Sequence, residues 1–461
     1  MTALPEQPIS PLDGRYRPVV SALGEYLSEA GLNRARVRVE VQWLLYLTGH
    51  ELFGSHRLPV DKSQALRALA DDFGQPEIDA LAKLEATTRH DVKAVEYLVR
   101  SRLEELDLGA VAELTHFSCT SEDINNLSYA ITISAAVREQ WLPKLQSLIG
   151  ALRGWAVAQR SVPMLAHTHG QPATPTTVGK EFAVFVRRLE RVAAQITDTR
   201  YLGKFSGATG TFAAHVVAGP HLDWPSISRE FVESLGLDWN PLTTQIEPHD
   251  WQAELYSRIS HANRILVGLC TDVWTYISMG YFTQIPQAGA TGSSTMPHKI
   301  NPIRFENAEA NFELSSALLD SLAATLVTSR LQRDLTDSTT QRNVGVALGH
   351  SLLALDNVAR GLGEIAVDTA ALDADLDSNW EVLGEAIQTV IRAEVAAGRS
   401  SIADPYAVLR DLTRGKRIGQ KELVAFIDGL DLEAAAKARL RELTPRTYVG
   451  LASELVDYLD A

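Results

Sequence analysis

Cysteine is scarce here, with only Cys119 and Cys270 among 461 residues. Both fall in apolar, helix-like stretches, and the absence of any Cys-x-x-Cys removes the usual signature of zinc or redox chemistry; buried thiols are the better reading. Long apolar runs are missing as well, since no uncharged stretch approaches the roughly 18 residues needed to cross a bilayer. The opening MTALPEQPIS has neither the basic start nor the apolar core of a secretory signal. Together these absences predict a protein of the reducing cytoplasm, with no membrane partner. Positive charge is in deficit: 43 Lys and Arg face 57 Asp and Glu, a net of −14. Without a Lys/Arg run there is no general electrostatic reason to attract nucleic acid, although a local basic site is compatible with the total.

Nucleotide and hydrolase motifs are equally absent. No G-x-x-x-x-G-K-[ST], G-x-G-x-x-G or H-E-x-x-H occurs. Gly349-His350-Ser351 begins like a hydrolase elbow but has Leu353 at its second glycine position, and the run from Asp373 to Asp377 fails as a calcium loop at Ser378 and Gly384.

What is present is helical periodicity and a 45% hydrophobic content that can fill cores. Trp251, Leu255, Ile259, Ala262, Leu266, Leu269, Val273 and Tyr276 are spaced by threes and fours, which predicts one helix of about seven turns with a continuous apolar seam. A second long helix starts at Thr120, where Asp123 three residues on makes a variant capping box, and Pro143 is expected to kink it. Further helices are predicted at about 176–200, 306–328 and 343–364, the middle one with a Leu314, Leu318, Leu322, Leu326 seam. The expected fold is all-α and three-segment: 1–108 as a helical N-terminal domain, 109–365 as a central bundle of long helices, and 366–461 as a small helical domain with a Gly415 to Arg417 loop.

Gly/Pro-rich connections interrupt the bundle at 167–179, 203–219 and 284–302, and polar loops on a rigid scaffold are where chemistry usually sits. The most informative is AGATGSSTMPHKINP, Ala288 to Pro302. It is dense in donors, bears Lys299 and contains no acid, so it suits an anion; composition alone fits a solvated linker as well. His167-Thr168-His169-Gly170 places two histidines two apart, suited to proton transfer or to ordinary loop hydrogen bonding.

Gly292-Ser293-Ser294-Thr295-Met296-Pro297-His298-Lys299-Ile300-Asn301-Pro302 resembles the signature loop of the fumarase/aspartase superfamily. Ser10 to Tyr16, Thr88 to Glu96 and Thr120 to Asn126 narrow the likeness to the bacterial type of the adenylosuccinate lyase family, and 243–250 and 332–342 extend it through most of the chain. The resemblance implies β-elimination of fumarate from adenylosuccinate, giving AMP, and from the succinyl-carboxamide intermediate (SAICAR, giving AICAR) of purine nucleotide biosynthesis. It implies Ser293 as general base and His169 as general acid. Arg15, Tyr16, Arg89, His90, Asp91, Thr120, Ser121, Gln245, Lys299, Asn301, Arg333, Ser338 and Arg342 would bind substrate. Gly289 and Gly292 would be loop hinges and Met296 its cover.

No metal or organic cofactor is implied. The likeness further implies a homotetramer with a shared helical core and active sites built from several subunits. Arg89 stands where the closest bacterial pattern usually has Asn, and His167 where an Arg often precedes T-H-G-Q. Other lyases of the superfamily, such as argininosuccinate lyase or fumarase, and a catalytically silent helical scaffold are the competing readings.

Overall fold

The computed structural model of the chain describes residues 8–286, 296, 299–413 and 418–460. In chain order, the elements that bear on the site begin with α1 (Glu29–Gly49), α2 (Gln75–Thr88), α3 (Asp91–Glu105), α4 (Ser121–Ala135) and α5 (Leu142–Ala158). Two strands follow, β1 (Pro163–Thr168) and β2 (Gln171–Thr177), then α6 (Val178–Thr197), α7 (Asp250–Ser278) and β3 (Phe282–Gln284). The rest are α8 (Ile303–Leu326), α9 (Thr336–Gln341), α10 (Val344–Leu362) and β4 (Ile365–Val367), with short helices beyond. The fold is all-α apart from two-stranded pairings, of which β1 with β2 and β3 with β4 are antiparallel.

Local chemistry explains the boundaries. Ser28 caps α1 by accepting the Gly31 N–H at 3.1 Å, and the Asp123 carboxylate accepts the Thr120 N–H at 2.8 Å to close the box that starts α4. The interruption expected at Pro143 is a π-helical stretch, Ala136–Trp141, in which the Leu142 N–H reaches back to the Val137 carbonyl. Proline cannot donate to the carbonyl four residues earlier and its ring clashes with it, so a widened turn just ahead of it lets the helix continue.

The described residues gather into two compact units, each discontinuous in sequence. The first spans 1–146, 192–264 and 308–356. One part of its core joins Val37, Val41, Leu44, Leu66, Val95, Val99 and Leu103; another packs Trp43 at a tilt against Phe205 and Phe231, with ring centroids 4.5 and 5.0 Å apart. The second unit spans 147–191, 265–307 and 357–461. Its aromatic centre is Trp155, Phe182 and Phe282, and a C-terminal cluster forms around Leu383, Ile387, Ile391 and Ile427.

The predicted α7 seam is buried from Trp251 to Val273. In α8 the predicted face is corrected: Leu314 is 53% exposed, while Phe312, Ser315, Leu319, Leu322 and Leu326 are buried. Ser315 decides this register, since its hydroxyl accepts from the Asn263 amide at 3.0 Å and donates to the Ala347 carbonyl at 2.8 Å, turning Leu314 outward. The 167–179 connection is also corrected, because most of it is the β1–β2 hairpin rather than a loop. Its short strands carry three prolines and no clean apolar alternation, which hides them from a periodicity reading.

Candidate functional site

In the first unit the site begins at the junction of α2 and α3. Arg89 ends α2 at φ +52°, and His90 caps α3 by accepting the Lys93 N–H on its Nδ1 at 3.3 Å. Asp91, the first residue of α3, pairs with Arg36 of α1 at 2.9 Å and with Arg342 at 3.1 Å. Burial alone would raise the Asp91 carboxyl, but Arg36, the Val92 N–H and Arg342 outweigh it and hold the group below its ordinary value. Arg342 also meets Glu29.

A continuous polar chain leaves this point through the interior. The Arg36 Nε donates to the Asn125 side-chain oxygen at 2.9 Å, and the Asn125 amide donates to Glu122 at 2.8 Å. Glu122 pairs with Arg333 at 2.9 Å, and Arg333 Nη1 donates to Gln245 at 3.2 Å. Asp337 stands 3.8 Å from Arg333 and 3.5 Å from His249. Burial pushes the Glu122 carboxyl up despite the opposing pull of Arg333 and the Asn125 hydrogen bond. Thus Asp91, Gln245, Arg333 and Arg342, predicted from three distant segments, belong to one network.

Thr120 and Ser121 sit at the start of α4, which a second buried carboxylate holds in place. Asp123 accepts the N–H groups of Thr120, Ser206 and Gly207 and pairs with Lys204 at 2.8 Å, both partners being fully buried. This fixes the loop leading to Ala208, whose carbonyl accepts from Gln245 at 2.9 Å. Ser338 lies in α9, its N–H donating to the Asp337 carboxylate at 2.6 Å.

Two clefts open beside the network. One, of about 480 Å³, is lined by Gln245, Arg333, Ala208 and Leu331. The other, of about 530 Å³, is lined by Leu12, Arg17, Leu27, Arg342 and Gly345. Arg17, and not the predicted Arg15 or Tyr16, faces this second cleft. Arg15 is exposed, with its guanidinium 6.0 Å from the centre of the Tyr16 ring.

In the second unit, His169 occupies the tip of the β1–β2 hairpin. Thr168 pairs with Gln171, leaving His169 and Gly170 as a two-residue turn with φ +53° and +72°. Positive φ at both central positions is the mark of a type I′ turn; glycine enters it freely, and histidine is among the side chains that tolerate it best. The His169 ring is consequently exposed at the end of a two-stranded ribbon. Lys299 is exposed, with its N–H bonded to the Met296 carbonyl at 3.0 Å, and Asn301 is half-buried. Ser293, Gly289 and Gly292 lie outside the described residues, as does the Gly415 to Arg417 loop.

Arg36, Asn125, Glu122, His249 and Asp337 belong to the network without having been predicted. The available signal is the run Glu122-Asp123-Ile124-Asn125-Asn126, four polar residues opening an otherwise apolar helix. All four are buried.

A family model described as Lyase matches residues 33–313, and one described as Adenylosuccinate lyase C-terminal matches 329–449. The chain is 47% identical over 455 residues to adenylosuccinate lyase of Escherichia coli K12, covering 98% of both chains. It is 46% identical over 454 residues to adenylosuccinate lyase of Vibrio cholerae, again covering 98% of each. Among solved structures, a fumarate lyase from Mesorhizobium sp. BNC1 superposes with a TM-score of 0.75 at 19% identity, over 95% of this chain and 97% of that one. The 3-carboxy-cis,cis-muconate lactonizing enzyme of Pseudomonas putida gives 0.73 at 20% identity, over 95% and 96%. These last two likenesses concern the fold alone.

Proposed function

Because the chain belongs to the adenylosuccinate lyase family, we propose that it cleaves adenylosuccinate to AMP and fumarate, and the succinyl-carboxamide intermediate of purine synthesis in the parallel reaction. The observation that carries this reading is likeness along the whole chain, 47% identity over 98% of both sequences. The polar network supports it. A chain of net −14 meeting a substrate with two carboxylates and a phosphate must concentrate cations locally, and Arg333 and Arg342 line clefts of the same unit.

In the proposed reaction Ser293 removes the proton from the carbon next to a carboxylate. The electron pair left behind forms the C=C bond of fumarate as the C–N bond breaks, and His169 protonates the departing nitrogen. Charge accumulates on the carboxylate before the nitrogen leaves, so the donors of the signature loop, with Lys299 and Asn301, would supply the main stabilisation. Presentation of His169 on a hairpin tip suits a proton donor that must reach a bound ligand. The reading includes a cytoplasmic homotetramer with shared sites and keeps 1–108, 109–365 and 366–461 as its sequence domains.

The test is fumarate release from adenylosuccinate with equimolar AMP. Activity confined to argininosuccinate or malate would defeat the substrate assignment. His169→Ala and Ser293→Ala should each lower kcat by about 10²-fold or more while substrate still binds. Ser294→Ala should be far milder; an equal loss there would move the base by one residue.

A further inference from the structure

Arg36 is an unusual residue to find 1% exposed, because isolated guanidinium groups are almost never buried. Each arm of its fork is engaged: Nη2 meets Asp91 at 2.9 Å, Nε donates to Asn125 at 2.9 Å, and Nη1 donates to Asn33 one turn back at 2.9 Å. The first arm leads in one step to Arg342, because Asp91 bridges the two guanidiniums. The second leads through Asn125 and Glu122 to Arg333.

We propose that Arg36 is a positioning residue for substrate binding, setting Arg342 through Asp91 and Arg333 through Asn125 and Glu122; the proposal rests on the function proposed above. A buried ion network is a weak source of stability, because desolvating its charges offsets most of the attraction. Its geometry does something a packed apolar core does not. It orders two long, flexible arginines before ligand arrives, so that cost is not subtracted from binding. A planar fork is required, since the two branches leave Arg36 in different directions and a lysine ammonium on a flexible stem is a single point charge.

The experiment compares Arg36→Lys, Asn125→Ala and Asn33→Ala in the full-length protein, reading KM and kcat for adenylosuccinate and the Kd of AMP by calorimetry. Arg36→Lys should raise KM and the AMP Kd about tenfold with kcat changed less than about threefold. Asn125→Ala, which cuts only the branch toward Arg333, should give a smaller rise in both. Added to Arg36→Lys it should cost little more, because the two changes interrupt one path. Asn33→Ala leaves both branches intact and should stay within about twofold of wild type. Should Arg36→Lys not fold, Asn125→Ala carries the test alone, and unchanged KM and Kd in it overturn the proposal. So do unchanged values in a folded Arg36→Lys, or an equal effect of Asn33→Ala. Wild-type protein that binds AMP but releases no fumarate defeats the functional reading and leaves positioning to be judged on Kd. Wild type that does neither overturns both.

Discussion

At Arg89 the backbone is held at φ +52°, where an L side chain other than Gly, Asn or Asp is crowded by about 1–2 kcal/mol. The bacterial pattern that this chain resembles usually has Asn there, and the conformation supplies a physical reason. Arg89→Asn should therefore raise the free energy of unfolding in urea by about 0.5–1 kcal/mol; a fall would mean that the arginine side chain makes a contact worth more than the strain. A second residue, His215, is 1% exposed and neither ring nitrogen has a hydrogen-bond partner among the described residues. Burial lowers its pKa, Lys204 adds to the effect and Asp123 opposes it. A folded-state pKa below the unfolded value of ~6.5 means that the neutral ring's contribution is complete above that pH. It is lost as pH falls from there through the folded value, because the unfolded chain takes up the proton first. His215→Phe should flatten the drop in melting temperature between pH 7 and 5, and an unchanged slope would place the acid sensitivity elsewhere. Residues of these two kinds differ in legibility. Asp91, Gln245, Arg333 and Arg342 stand in recognisable motifs and Glu122 lies within the Thr120 to Asn126 run, whereas Arg36 has the same composition as any helix surface and is marked only by burial.

Within the first unit, α7, α8, α10 and the π-helical stretch are tied by buried side chains rather than by apolar contact alone. The Trp141 indole donates to Ser351 at 2.8 Å, Ser351 donates to Asn263 at 2.7 Å, and Asn263 passes on to Ser315. Ser351→Ala would leave a buried indole N–H and an amide oxygen without partners, at a cost of about 2–4 kcal/mol. Ser278, an exposed serine at the end of α7, is the matching control, and equal losses in the two alanine variants would show that the network contributes nothing specific. The same network marks where periodicity stops being informative. The long helices were legible because threes-and-fours spacing follows directly from helix geometry, and α7 bore out its predicted seam. In α8 a serine, not a leucine, occupies the inner face, so choosing the most apolar stripe selected Leu314 wrongly. The hairpin bearing His169 escaped for a different reason: its register rests on a two-residue turn in which histidine takes the place usually held by Asn, and no strand-like alternation surrounds it.

For the molecule as a whole, net charge and exposed apolar surface pull in opposite directions. A total of −14 keeps like chains apart, yet long helices expose Val157, Val184, Trp274 and Leu314 by 43–53%. Scattered apolar exposure is ordinary on a monomer, so these side chains alone do not fix an assembly. Sharing of active sites between subunits can be tested without reference to the interface. If each site takes His169 from one chain and Ser293 from another, mixing equal amounts of inactive His169→Ala and Ser293→Ala proteins with full subunit exchange gives each site an even chance of an intact acid and, independently, of an intact base. About a quarter of the sites would then be complete, and activity should recover toward that fraction of wild type. If both residues come from the same chain, no mixture contains a complete site and activity stays at the level of the separate variants. Recovery must also require exchange: mixing without dissociation should restore nothing, and activity already present in either variant before mixing would point to contaminating wild-type enzyme rather than to shared sites.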